Sequence, residues 1–517
     1  MNRSSASTLR TASGTAVVVV LSAAVHALAF PPYGYASLAF VAVAPFLVVI
    51  RRLRPRAAAL VGYLWGSAAI WGVGYWVADA LTFYYQQPRW FGIVFCLVGC
   101  QILWGFYYAF FAACVAGLVP RLPAPVRPLL VSVFWVTCEL GRARLLTGEP
   151  WMLLGYALVP YTRMIQVADL GGVYPLSFLA ILVNASIAEI LLADGNRLRL
   201  ALRVLVTPAL VLVAAASYGA YRVTLPPPSE PALGVTVVQG NNDLGTQWRQ
   251  EFYGQGLDRY LRMSFAAAQQ THPQLLVWPE SAITFFLAHE PAYRDTIARL
   301  LQATGADLIV GGPHHEDNGA RYFNSAFYVS GGGRITSRYD KVHLLPFAEY
   351  FPLRFIELLR RKFERVRYFT PGDAETLLAT RAGPAAVVIC LEAIFPELVR
   401  ERMRAGATML INLSNDVWLG RGVGQQQHLA MVVLRAVENR TWVIRATTTG
   451  ISAIIDPLGR IQRQSGIFEQ AVLDGVVTPM RMDTVYKRVG DVFAYGCVAA
   501  SLFAVALITR RAISGGR

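Results

Sequence analysis

Eight apolar runs limit what this chain can fold into more than any other feature: seven lie before residue 223 and one closes the chain at about 489–511. A helix needs roughly 20 apolar residues to cross about 30 Å of hydrocarbon. The runs at approximately 13–30, 36–50, 57–80, 91–119, 128–140, 173–193 and 204–222 are candidates, with "VGDVFAYGCVAASLFAVALITRR" as the eighth. The second and fifth are short and have prolines beside them, so tilted, broken or interfacial helices are expected there. Residues 224–488 have mixed polarity and no membrane-length run. With 55% hydrophobic and only 15% charged residues, the chain is more apolar than a soluble protein needs. The expected organisation is a bundle of about seven helices over 1–223, a polar domain over 224–488, and a last helix with its tail over 489–517.

The arginines of the short loops give the orientation. Arg3 and Arg10 precede the first run, Arg51, Arg52, Arg54 and Arg56 follow the second, Arg121 and Arg127 follow the fourth, Arg197, Arg199 and Arg203 follow the sixth, and Arg510, Arg511 and Arg517 follow the last. This alternation puts both termini in the cytoplasm and the large insert outside. The segment 141–163, with Arg142, Arg144 and Arg163, breaks the pattern. Much of the net charge of +15 sits in these loops and no basic-aromatic module accompanies it, so nucleic-acid binding is not expected. The first run lacks a small-x-small cleavage site and reads as a retained helix. Five of the six cysteines fall in apolar runs, which leaves Cys390 alone in the insert with no disulfide partner there.

The proline-rich "TLPPPSEPA" (224–232) marks the start of the insert. Strand-like runs follow at 234–240, 275–280, 306–312, 325–330, 385–390, 408–415, 442–448 and 452–457, with helical patterns at about 249–270, 291–304, 394–405 and 425–438. That alternation predicts an α/β domain whose helices cover sheets. Several strands are apolar at nearly every position, as when both faces are buried. Polar residues collect where strands end: Glu280, Cys390, Asn415 and Asp416. The "GGG" at 331–333 reads as a hairpin turn.

In "AAVVICLEAIFP" (385–396), Cys390 is either a core thiol or a nucleophile. A thiol with an ordinary pKa of about 8.5 needs a base or a nearby positive charge to attack. His343 and His428 are obvious partners; His314 and His315 sit in a turn-like stretch without a spaced third ligand, which argues against a metal site. A different set fits the segments better. Glu280 ends "LLVWPES" and Lys341 lies in "YDKVHLLPFAEYFP"; a glutamate can take the thiol proton, and a lysine can stabilise an oxyanion.

Trp-Pro-Glu, then Tyr-Asp-Lys-x-His-Leu-x-Pro-Phe-x-Glu-Tyr, then Cys-x-Glu, in that order in an α/β domain, resembles the nitrilase superfamily, whose catalytic set is Glu, Lys and Cys. With apolar spans on both sides, nearly the whole chain is similar to the apolipoprotein N-acyltransferase family. The shared segments include "TGEPW" (147–151), "VQGN" (238–241) with Trp248 after it, "SNDVWLG" (414–420), "QHLAM" (427–431), "RAVEN" (435–439) and "TGISAIIDPLG" (449–459). The chain departs at Ala348 and Arg440, where the family usually has glycine, at Gln425, where it has proline, and at "NDLG", where it has a Pro-Gln pair; none of these removes a catalytic group.

The resemblance implies a nitrilase-like four-layer αββα sandwich inserted into a bundle of about eight spans, in a bacterial inner membrane with the catalytic domain on the periplasmic side. It implies Glu280 as base, Lys341 as oxyanion partner and Cys390 as nucleophile, with Glu349, Glu392 and the Leu391 N–H in support, and Trp248, Tyr339 and Trp418 as substrate-binding candidates. The implied reaction moves an acyl chain from a phosphatidylethanolamine-like phospholipid, through a thioester, to the N-terminal amine of a diacylated apolipoprotein. It needs no metal or soluble cofactor. A membrane-tethered nitrilase-type amidohydrolase, with water as acceptor, would use the same triad, and a non-catalytic membrane binding protein would need none of it.

Overall fold

The computed structural model describes residues 3–145, 148–225, 230–242, 250–316, 319–353, 355, 358, 361–362, 368–373, 376–420 and 422–514. The chain divides into two compact units. One comprises Met1–Ala78, Trp90–Leu225 and Asp491–Arg517, the other Asp79–Arg89 and Pro226–Gly490.

The first unit is helical. Helices Pro55–Gly74, Arg89–Arg121, Tyr174–Leu191 and Arg197–Thr224 are long and apolar enough to cross a membrane, and Ser13–Leu28, Ala36–Arg51 and Val492–Ile508 are shorter apolar helices. The N-terminal region thus holds four to six apolar helices. The apolar run at 57–80 is not one helix: it breaks after Gly74, and a second helix, Trp76–Tyr84, follows. The fifth run lies in helix Arg127–Arg144, which carries Glu139, Arg142 and Arg144 and buries most of its length. Small residues allow close backbone contact. A Cβ on Gly62 would fall 2.3 Å from the Tyr108 carbonyl oxygen, so the two backbones approach as they do in membrane helix pairs. Beside them Trp65 stacks on Phe46 at 4.6 Å and meets Tyr108 and Trp135 edge-on. Arg144 pairs with Asp491, and Arg142 is buried, so two arginines that break the charge pattern are engaged inside this unit.

The second unit is built on two mixed six-stranded sheets. The strands are β1 Leu233–Gln239, β2 Leu275–Val277, β3 Asp307–Glu316, β4 Arg321–Val329, β5 Ile335–Asp340, β6 Leu378–Thr380, β7 Gly383–Ile389, β8 Met409–Ser414, β9 Val443–Thr447, β10 Ala453–Ile455, β11 Ile461–Gln464 and β12 Ala471–Val477. Their order is β12-β1-β2-β3-β4-β5 in one sheet and β11-β10-β9-β8-β7-β6 in the other. Strands β1, β2 and β3 are parallel, as are β7, β8 and β9.

Side chains alternate across each strand, and both faces are covered. Val235, Val237, Leu275, Val277 and Ile309 pack with Val387, Ile389, Ile411, Leu413 and Ile444 between the sheets. Val238, Leu276, Leu308 and Val310 face the other way, against helices Leu257–Thr271 and Pro291–Thr304. Helices Pro396–Arg404 and Val423–Asn439 pack against the second sheet. Two buried faces explain the continuous apolar runs. The "GGG" segment forms the β4–β5 turn, with Ser330 N–H donating to Arg334 O at 2.9 Å.

Four strands, β5, β6, β11 and β12, were not expected from the sequence. His314 and His315 lie on strand β3 rather than in a turn, and β2 stops at Val277, before Trp278-Pro279-Glu280. Gly311 on β3 packs against the Pro279-Glu280 segment that follows β2. A Cβ there would meet Glu280 Cα and Pro279 O at 2.6 Å each. Gly311→Ala is therefore expected to overpack this contact at about 2 kcal/mol, lowering the midpoint of thermal unfolding in micelles by roughly 4–8 °C.

Candidate active site

The parallel strands of both sheets end on one side, and the polar groups gather there. Cys390 follows Ile389 at the end of β7, opens a 3₁₀ turn over Cys390–Ile394, and has φ +54°. A non-glycine residue held in that region costs about 1–3 kcal/mol, a cost that native packing must offset. Ser281, next to Glu280, has φ +55°. Glu280, Lys341, Glu349 and Cys390 line one cavity of about 40 Å³, together with Leu345, Ala348, Asn415, Trp418, Ser281 and Tyr84. The Trp418 indole N–H donates to Cys390 Sγ at 3.4 Å.

Each charged group is fixed by its own partners. Asn324 Nδ2 donates to Glu280 Oε1 at 2.7 Å and to Glu349 Oε1 at 2.8 Å, and the Asn415 N–H donates to Glu280 Oε2 at 2.6 Å. Lys341 follows β5, is 1% exposed, and pairs with Glu349 Oε2 at 2.8 Å. Burial raises the Glu280 pKa, Lys341 opposes the rise, and Glu349 adds to it. Burial works against the Lys341 ammonium, but Glu349, Glu280 and Cys390 outweigh it and raise its pKa. The Cys390 thiol is pushed up to about 12 by burial and Glu280, with Lys341 opposing. The arrangement sets the thiol beside a carboxyl group suited to accept its proton and a lysine suited to face a developing oxyanion.

Glu392 ties the lysine segment to the cysteine turn. Its Oε1 accepts from Tyr339 OH at 2.7 Å, Val342 N–H at 2.8 Å and His343 N–H at 3.1 Å, and its Oε2 from Ile389 N–H at 2.7 Å. Arg402 donates to Tyr339 OH and, at 2.6 Å, to Val387 O. A second buried group lies behind the turn. Asp416 accepts from Arg445 at 2.5 Å and Ser414 Oγ at 2.5 Å, with His428 Nδ1 3.4 Å away. The His428 ring also lies near the Cys390 backbone. Burial and then Arg445 lower the His428 pKa, so the ring is a neutral brace behind Cys390 and does not line the cavity.

The residues expected to act divide accordingly. Glu280, Lys341, Cys390, Glu349 and Trp418 meet at the cavity, with Leu391 next in the turn. Tyr339 does not fit a substrate contact: it is fully buried, and its hydroxyl is held by Glu392 and Arg402. Trp248 lies outside the described residues. His343 packs its ring on Phe395 at 4.9 Å, away from the thiol. Asn324 and Arg445 were missed, with a lone Asn inside "YFNSAFYVS" and an Arg inside "WVIRATT" as the available signals, and Asp416 was noted only as a polar residue at a strand end.

A carbon-nitrogen hydrolase family model matches residues 234–485, and an apolipoprotein N-acyltransferase N-terminal domain model matches 22–186. An apolipoprotein N-acyltransferase of Geobacter metallireducens is 38% identical over 505 residues, 96% of this chain and 95% of its own length. The chain belongs to the apolipoprotein N-acyltransferase family. The Pseudomonas putida member is 32% identical over 474 residues, 89% of this chain and 90% of its own. Among solved structures, a Nesterenkonia AN1 amidase from the nitrilase superfamily is 19% identical and aligns over 52% of this chain and 98% of its own, with a TM-score of 0.38. As a member of the apolipoprotein N-acyltransferase family, the chain is a membrane acyltransferase of lipoprotein maturation with a nitrilase-like domain.

The positions that depart from the apolipoprotein N-acyltransferase pattern have local roles. Ala348 lines the cavity. Gln425 accepts from Gly422 N–H at 2.7 Å and donates to Gly420 O at 2.6 Å. Arg440 takes the left-handed helix C-cap, φ +50°, where glycine would be unstrained. Glu392→Gln would turn an amide donor toward groups that already donate. It is expected to destabilise the domain by about 3 kcal/mol, read as earlier proteolysis and a lower thermal midpoint.

Proposed function

We propose that this chain N-acylates apolipoproteins in two steps through an acyl thioester on Cys390. The observation that carries the reading is the convergence of Glu280, Lys341 and Cys390 on one cavity, in a chain whose whole length matches that family. Glu280 takes the thiol proton as sulfur attacks the ester carbonyl of a membrane phospholipid, phosphatidylethanolamine-like in headgroup. Lys341 and the Leu391 N–H stabilise the oxyanion; the first N–H groups of a helical turn lack intrahelical partners and suit this role. The lysophospholipid leaves with the proton from Glu280. The α-amine of a diacylglyceryl-cysteine then attacks the thioester, Glu280 accepts its proton, and sulfur departs and recovers that proton as the amide forms. Glu349 holds the Lys341 ammonium, Glu392 sets the backbone around it, and Trp418 faces the sulfur.

The architecture fits lipid substrates. We read the catalytic domain as a four-layer αββα sandwich, and the apolar helices as about eight spans with both termini cytoplasmic. The arginine distribution supports a periplasmic catalytic domain in a bacterial inner membrane. Anchored lipids then reach the enzyme laterally, without the roughly 0.8 kcal/mol per methylene that extraction into water would cost. A cavity of about 40 Å³ holds little more than one water, so Leu345, Ala348, Trp418 and Tyr84 must shift to admit an acyl chain.

Two measurements test this. Fluorescent phosphatidylethanolamine is supplied with a diacylated lipopeptide, and labelled lipopeptide and free fatty acid are quantified. Transfer is expected to dominate, and to fall by at least about 100-fold in Glu280→Gln and in Lys341→Met. Release of fatty acid alone, unaffected by lipopeptide, would favour the amidohydrolase reading. The pH profile follows from the shifts. Glu280 must be ionised to accept a proton and its pKa is raised above 4.5, so kcat/KM is expected to fall with decreasing pH along a limb above the ordinary carboxylate range. With Cys390 near 12, no alkaline limb is expected below about pH 10. Asn324→Ala, which removes a donor to the charged carboxylate, is expected to move the acid limb upward.

A further inference from the structure

A second polar cavity, of about 630 Å³, lies at the other end of the strands from Cys390. Arg404 and Gly406 border it and lead into the start of β8, whereas Asn415 and Asp416 of the active site follow the end of that six-residue strand. At about 3.3 Å per residue the two sites are roughly 20 Å apart. Arg404, Arg481, Lys487 and Arg488 line the cavity against one carboxylate, Asp483.

That carboxylate is already engaged, by Arg488 at 2.8 Å. Among the described residues, the side chains of Arg404 and Arg481 have no hydrogen-bonding or ion-pair partner. The cluster is nonetheless built. Met480 N–H donates to Thr408 O at 2.8 Å, and Arg481 lies over Gly406, where a Cβ would fall 3.3 Å from its Nη2 and φ is +106°. Thr484 caps helix Val485–Val489 by accepting from Lys487 N–H at 2.9 Å, and donates to Glu438 O at 2.7 Å. Lys487 is 8% exposed, and its Nζ donates to Met482 O at 3.2 Å. Burial lowers its pKa, Asp483 opposes this, and Arg481 lowers it further; an anion in the cavity would relieve that ammonium.

Guanidinium forks and an ammonium lining one cavity, whose one carboxylate among the described lining residues is already paired, match phosphate oxygens in chemistry and sign. The sequence around them indicates the source. Val492, the first residue of the apolar helix Val492–Ser514, follows Arg488 by four positions, and basic residues that close to a membrane helix meet the phosphate layer. On the topology proposed above, on which this step rests, the flank is extracytoplasmic, where orientation does not call for Lys or Arg.

We propose that this cavity binds the phosphate of an anionic phospholipid headgroup, separately from the acyl-transfer site, and seats this edge of the domain on the lipid surface. The test uses full-length protein carrying Cys390→Ala, so that no lipid is consumed. It is titrated in uncharged micelles with phosphatidylglycerol, with phosphatidylcholine and with inorganic phosphate, and bound lipid is counted by native mass spectrometry. One phosphatidylglycerol is expected to bind at least about tenfold more tightly than phosphatidylcholine, and about tenfold or more weakly once Arg404→Gln and Arg481→Gln are added. The Arg404→Lys, Arg481→Lys pair is expected to recover part of that loss. Inorganic phosphate that binds alone and displaces the lipid would overturn the headgroup assignment, and equal binding by the glutamine variant would overturn the site. With Cys390 intact, the glutamine variant should retain acyl transfer. If wild type transfers no acyl group yet still binds phosphatidylglycerol here, the proposed reaction fails and this site stands.

Discussion

The four hydrogen bonds accepted by the Glu392 carboxylate hold the rest of the active site in register. They reach Tyr339, Val342 and His343 on one side and Ile389 on the other, so one fully buried group spans the end of β5 in the first sheet and the end of β7 in the second. Lys341 and Cys390 are the residues adjoining those anchored backbones. Removing the acceptor would leave several buried donors unmatched, a larger penalty than any single bond contributes. The left-handed Cys390 backbone is braced from behind by His428, itself set by Asp416 and Arg445. Strain at the thiol is therefore supported on two sides by groups that never touch the cavity.

Within that frame the charges decide how the thiol can react. Two carboxylates, Glu280 and Glu349, face one ammonium, Lys341, in a water-poor cavity. Burial first, and then Glu280, push the Cys390 thiol up to about 12, which favours the protonated sulfur. On the proposed mechanism, proton transfer to Glu280 accompanies attack, and Lys341 is already in place when charge moves to the carbonyl oxygen. Asn324, bonded to both carboxylates, fixes their spacing and favours the charged form of Glu280. Preorganised charge of this kind requires little rearrangement as the transition state forms.

Much of this was legible in the sequence because the informative residues sit at ends of strongly apolar strands. Both faces of β1, β7 and β8 are buried, so they read as continuous runs, and a polar residue at such an end stands out. Glu280 and Cys390 were accessible in that way, whereas Lys341, after the polar strand β5, was reached through the "YDK" motif. The edge strands were not: β11 is exposed at every position, β6 has three residues, and Asp474 and Gly475 interrupt the apolar pattern of β12. Edge pairing depends on backbone groups rather than side-chain pattern. The Asp416, His428 and Arg445 cluster was hidden for another reason. Its members come from three segments, and only folding brings them together, so no local spacing announces them. Tyr339 misled in the opposite direction, since a motif aromatic beside the lysine reads as a substrate contact when it is a buried hydrogen-bond donor.

The two-step route requires that Cys390 carry the acyl group. The most direct measurement is the intact mass of the full-length protein after brief exposure to a phospholipid of single acyl composition, without lipopeptide. The prediction is a mass gain of one acyl group, located to the peptide containing Cys390, removed by neutral hydroxylamine, and absent in Cys390→Ala. An unmodified chain that nevertheless transfers acyl groups to lipopeptide would contradict the thioester route and point instead to direct attack of the amine on the phospholipid ester.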